Sequence, residues 1–195
     1  MFLPRLSQWL LDVASWRTTL AAFVLAGALI GLMNVILIPA VASATGGLDP
    51  FDIIFPLSTK DLLDGLDQYN SDSFKAYLVF TGVDVAFPIA SGMFSLLFAA
   101  CLIKLSGFSW LITAAKRGFI LLAFIPTLFD LMENVGFVVL IASLPETSMA
   151  LASATTFVHA AKFQSMDALS VAQGVLIALA LAGVIMRWRA SRKAL

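Results

Sequence analysis

Four runs of apolar residues dominate the chain, at 18–38, 77–104, 117–143 and 168–187, and few polar positions interrupt them. A hydrocarbon core of about 30 Å is crossed by about 20 helical residues, so each run predicts a transmembrane helix. No segment shows the apolar–polar alternation, in stretches of about ten residues, that marks a membrane β-barrel. One polar segment of any length, 39–76, joins the first run to the second. The pattern predicts an all-α integral membrane protein, with 1–195 forming a single domain in which four transmembrane helices make a bundle.

The polar segment has its own pattern. Pro39, Gly46-Gly47, Pro50 and Pro56 break regular structure along it. Ser58 followed by Asp61 reads as a helix start. Leu62, Leu63, Leu66 and Tyr69 follow at helical spacing, with Asp61, Asp64 and Asp67 opposite. This predicts an amphipathic helix over about 59–69, lying on the membrane surface or capping the bundle. Its acidic residues do not fall in the order of an EF-hand calcium loop, and the closing Glu is missing. At the start of the chain, Ala40-Val41-Ala42 and Ala42-Ser43-Ala44 resemble cleavage sites. The apolar run before them exceeds the 7–15 residues of a signal-peptide core, so a retained helix is expected.

Composition adds orientation. The chain is 61% hydrophobic and 12% charged, with twelve basic and twelve acidic residues. No net field attracts nucleic acid; membrane lipid is the expected partner. Across four spans, Arg5, Arg17, Lys104, Lys116, Arg117, Arg187, Arg189, Arg192 and Lys193 fall on one side, and Lys60, Lys75 and Lys162 on the other. The positive-inside rule then puts both termini in the cytoplasm and the acidic segment outside, as in a bacterial-type plasma (inner) membrane. Trp9, Trp16, Trp110 and Trp188 fall at the cytoplasmic boundary, with Tyr69 and Tyr77 at the other. Cys101, the single cysteine, reads as a small buried apolar residue.

The candidate chemistry lies inside the runs. In the third, Asp130, Glu133, Asn134 and Phe137 share one helix face beyond Pro126. Carboxylates at that depth mark a functional site by default. Two of them on one face require a proton or a neighbouring cation. In the second, Pro88 frees the carbonyl of Asp84, and Ser91 and Ser95 continue that polar face. In the fourth, Gln173 lies in the outer third. The preceding mixed stretch, 148–167, holds Lys162, the expected counter-charge, and His159, read as an interfacial residue. In the first, Gly27 and Gly31 form a small-residue stripe continued by Asn34. Either Asn34 faces the bundle interior as part of the site, or the stripe is a packing surface with one interhelical hydrogen bond. Gly174 and Ala178 offer a similar face, and either face fits a homo-oligomer or another membrane subunit.

These depths predict a polar pocket of Asn34, Asp84, Asp130, Glu133, Asn134, Lys162 and Gln173, open to the outer side above an apolar plug. Three functions fit. The first is a binding site for a small amphipathic molecule, lipid or cation. The second is an accessory or assembly subunit whose polar groups meet other chains. The third is a small lipid-modifying or isomerase-like enzyme using Glu133 or Asp130 as acid or base. No metal-type His/Cys cluster, nucleophile elbow or phosphate loop is present, so no metal and no cofactor is expected. The motif Asp84-x-x-Phe87-Pro88, following a long outer loop among four spans, resembles the acid-then-proline pattern of the emopamil-binding and sterol-isomerase-like four-helix proteins. It covers one short motif and the topology. The His and Trp residues that a sterol reaction would call for inside the spans are not matched.

Overall fold

A computed structural model describes residues 2–193, which contain helices and no strand. The first element, α1 (Phe2–Val13), buries Leu10 and Leu11 and leaves Phe2, Leu3 and Trp9 exposed. Ser15 caps the next helix by accepting the Thr18 N–H. That helix, α2 (Trp16–Thr45), runs on through a π-helical turn at Met33–Leu37. Pro39 has no N–H to offer the carbonyl four residues back, and the wider turn absorbs one extra residue. The inward residues are thus Thr19, Ala26 and Met33 at steps of seven, and then Val41 at a step of eight. Gly46 and Gly47, at φ +77° and +115°, end the helix in a conformation that other residues rarely adopt.

The segment that follows folds back over the end of the bundle. It carries a 3₁₀ turn (Phe51–Ile53) and α3 (Thr59–Leu66), which Ser58 caps. Leu62 and Leu66 are fully buried, so this amphipathic helix caps the core. Asn70 caps the long second span, α4 (Ser71–Ser106), and the short α5 (Ser109–Lys116) follows it. The third span opens as a 3₁₀ segment (Phe119–Phe124) and becomes α6 (Ile125–Ala142) at Pro126. Proline suits the first turn of a helix and disfavours α geometry before it. The last helix, α7 (Met149–Lys193), is continuous.

Four helices are thus long and apolar enough to cross a membrane: Trp16–Thr45, Ser71–Ser106, Phe119–Ala142 and Met149–Lys193. That is the architecture of an integral membrane protein. The fourth is the largest departure from the apolar pattern, which covers only 168–187. In its mixed first half, Thr155, Thr156, His159 and Lys162 point inward.

Two apolar layers fill the interior. One, next to the acidic segment, contains Val41, Phe51, Tyr77, Phe80 and Phe137. The other, next to the termini, contains Leu10, Leu96, Ala100, Ile103 and Ile120. At the termini end, Lys104 donates to the carbonyls of Leu11 (3.0 Å) and Ala14 (2.8 Å). Arg187 donates to those of Ser106 (3.0 Å) and Leu105. Cations thereby occupy the otherwise unsatisfied C-terminal carbonyls of two helices. Among the described residues, a Cβ at Gly27, Gly31 or Gly174 would find nothing within 4 Å.

Candidate functional site

Helical periodicity on α7 builds one wall of the site. Thr155, His159 and Lys162 recur on one face and are buried. Two close crossings bring the neighbouring helices in: a Cβ at Gly136 of α6 would overlap Thr155, and a Cβ at Gly92 of α4 would overlap Thr127. Thr127 also donates to the carbonyl of Pro88 at 2.9 Å.

Glu133 lies at the centre with no exposed surface. One of its oxygens accepts from Lys162 Nζ, and the other is 2.9 Å from His159 Nδ1. His159, equally buried, places Nε2 at 2.8 Å from the carbonyl of Ile54. A carbonyl can only accept, so Nε2 carries a proton. The proton between Nδ1 and Glu133 therefore belongs either to an imidazolium or to a carboxylic acid. Lys162 also donates to the carbonyl of Asp52 at 3.0 Å and lies 3.9 Å from Asp130. Asn134 donates to Asp84 at 2.6 Å. Phe55 stacks on Phe163 at 4.3 Å and leans on His159, closing the site from the acidic segment.

Of the residues expected in a pocket, the structure brings together Asp84, Asp130, Glu133, Asn134 and Lys162. Gln173 lies deeper along α7, among the residues of an apolar cavity. Asn34 is not brought in. It is exposed, and its amide donates to Ile30 of its own helix at 2.8 Å. It lies one residue beyond inward-facing Met33, on the same outward stripe as Gly27 and Gly31. Instead of an open polar mouth, the polar groups lie under the strap 51–55. Instead of a solid plug, a cavity of about 510 Å³ lies next to them. It runs between the start of the third span and α7, and Ile120, Ala123, Ser165, Leu169, Gln173 and Leu176 contribute to its lining.

Two members of the cluster were not singled out from sequence, Asp52 and His159. The fold-back brings Asp52 to Lys162 across 110 residues. The signal for His159 was its spacing of three from Lys162, which places both on one face. Four carboxyl groups (Asp52, Asp84, Asp130 and Glu133) thus surround one lysine and one histidine. Among the described residues, no three His, Cys, Asp or Glu side chains are grouped to hold a metal ion.

Asp52 lies in the strap, outside the spans. Burial, reinforced by Asp84 and Glu133 and opposed by Lys162, pushes its carboxyl well above the ordinary 3.8. The folded state then binds a proton more tightly than the unfolded chain does. That contribution to stability is complete below about pH 4 and is lost as pH rises through the raised value. Asp52→Asn is expected to flatten this decline. In a buffer with choline as its cation, the variant should unfold at a higher temperature than the parent at pH 8. An unchanged difference between pH 5 and pH 8 would contradict the assignment.

Searches against known protein families, curated proteins and solved structures found no match.

Proposed function

We propose that this membrane protein binds a small amphipathic molecule or lipid, with its head group at Asp130, Lys162 and Glu133 and its apolar body in the neighbouring cavity. The observation that carries this reading is the register of α7. Lys162, Leu169, Gln173 and Leu176 share a helix face, and the lining of the cavity begins at Ser165, about one turn along α7 from Lys162. A volume of about 510 Å³ falls within the range of small-molecule sites. Asp130 supports the head-group position, since it is the carboxylate of the cluster with a partly exposed side chain. The excess of acid favours a head group that donates hydrogen bonds, such as an amine or a hydroxyl. In this reading the acidic segment faces outward and both termini lie in the cytoplasm. If the site is also catalytic, Asp130 is the group placed to exchange a proton with the bound molecule, while Glu133 orients Lys162.

Leu169→Trp would fill the cavity and leave the charged cluster intact. It is expected to weaken binding of a dansyl-labelled alkylamine by roughly tenfold or more, which corresponds to about 1.4 kcal/mol. Fluorescence titration in detergent reads this directly. Equal affinity in parent and variant would remove the cavity from the reading.

A second reading, a subunit or homo-oligomer, rests on Asn34. Its amide and the neighbouring Gly27 and Gly31 are turned towards lipid, where a second helix would bury them.

A further inference from the structure

The layer around Asp52 contains a second feature that amphipath binding does not use. Five buried side-chain oxygens there make no hydrogen bond to another protein group: Asp52 Oδ1, Tyr69 OH, Tyr77 OH, Thr81 Oγ1 and Asn134 Oδ1. Buried polar atoms without partners are uncommon, and each calls for an explanation. These five come from three parts of the fold and meet in one aromatic layer. Phe51 stacks on Tyr69 at 5.3 Å and lies 5.8 Å from Phe137. Tyr69 meets Tyr77 edge-on at 5.8 Å. Tyr77, Thr81 and Asp84 follow one another on the inward face of α4. Asn134 is tied to that face by its bond to Asp84.

Hydrogen-bond logic orients the asparagine. The Asp84 carboxylate accepts, so the Asn134 amide nitrogen must point to it, and the amide oxygen is turned the other way. Neither that oxygen nor an ionised Asp52 carboxylate can satisfy the other, because both then only accept. The charge count leads to the same place. Lys162 and His159 are engaged by Glu133, and among the described residues Asp52 and Asp84 have no cation of their own at bonding distance. Water would satisfy the acceptors but leave the carboxylates uncompensated in an apolar layer. A proton on Asp52 would neutralise that carboxyl and could give the amide oxygen a donor, but the Asp84 carboxylate would still have no positive charge beside it. A cation answers both needs.

We propose that Asp52, Tyr77, Thr81, Asp84 and Asn134 form a binding site for a hard cation held entirely by oxygen atoms. Carboxylate, amide and hydroxyl oxygens are the donors that sodium, potassium, calcium and magnesium prefer, and they discriminate against soft transition metals. Sodium or potassium suits a shell in which neutral oxygens outnumber carboxylates; calcium suits both carboxylates acting together. The site does not rest on the amphipath reading. It joins the strap to α4 and α6, so occupation would hold the strap closed over Glu133.

The test uses the full chain in detergent, freed of divalent ions by chelation and held at pH 8 and constant ionic strength with choline chloride. Sodium, potassium, calcium or magnesium then replaces choline. One of the four is expected to raise the unfolding temperature saturably by roughly 5 °C, and the identity of that ion separates the monovalent from the divalent site. Equilibrium dialysis with the radioactive ion should give one ion per chain. Affinity should fall roughly tenfold or more in Asn134→Ala and in the near-isosteric Thr81→Val and Tyr77→Phe. The last two keep the test informative if Asn134→Ala does not fold. Identical unfolding temperatures in all four cations and choline would overturn the proposal. So would a saturable response that survives undiminished in both Thr81→Val and Tyr77→Phe.

Discussion

Glu133→Gln is expected to destabilise the protein by about 3–5 kcal/mol, the scale for breaking a buried ion pair from one side. The loss has a specific origin. The carboxylate is fully buried and serves Lys162 and His159 together. Without its charge, Lys162 retains the carbonyl of Asp52 and a carboxylate at 3.9 Å, Asp130, too far for a hydrogen bond. Lys162→Met in the same background should restore much of the loss, because the unpaired ammonium is then gone. A double-mutant cycle measured by unfolding in detergent separates this coupling from simple loss of packing. Additive effects of the two substitutions would show that the pair does not act as a unit.

Gly183→Val is expected to be damaging for a steric reason. A Cβ at Gly183 would overlap the backbone carbonyl of Ser106. That carbonyl cannot swing aside freely, because it ends α4 and accepts from Arg187 at 3.0 Å. Overpacking of this kind costs about 1–3 kcal/mol and more where backbone must move. Gly174→Val is the matched control, since a Cβ there meets nothing within 4 Å. It should change stability by no more than about 0.5 kcal/mol. Thermal unfolding of the two variants side by side is the measurement, and similar losses in both would contradict the close crossing.

Four span-length apolar helices were legible in the chain because hydrocarbon demands long apolar runs whatever the partners are. The meeting of Asp84, Asn134, Glu133 and Lys162 was legible for a related reason, since ionisable groups at depth turn towards one another. Helical spacing put Asn34 on the Gly27/Gly31 stripe but could not say whether that stripe faced the bundle, because small residues suit an inward or an outward face. The π-helical turn itself was hidden because Pro39 lies at the end of the apolar run, where a proline also fits a simple helix stop. Asp52 was hidden because it sits in a polar segment, where an acid needs no explanation until the fold-back buries it. The burial of His159 was not legible either. The polar residues around it resembled an interface, but their faces were filled from across the bundle by Glu133 and the carbonyl of Ile54.

The surplus residue at Met33–Leu37 reaches further than its own helix. Every peptide from Ile38 onward leaves the first span turned by about 100° from where uninterrupted α geometry would send it. The chain from Gly46 to Tyr69 hangs from that rotated stub, and its aim decides whether Asp52 and Ile54 arrive over Lys162 and His159. A single irregular turn in the first of the four long helices thus acts as the aiming device for the buried ionic centre.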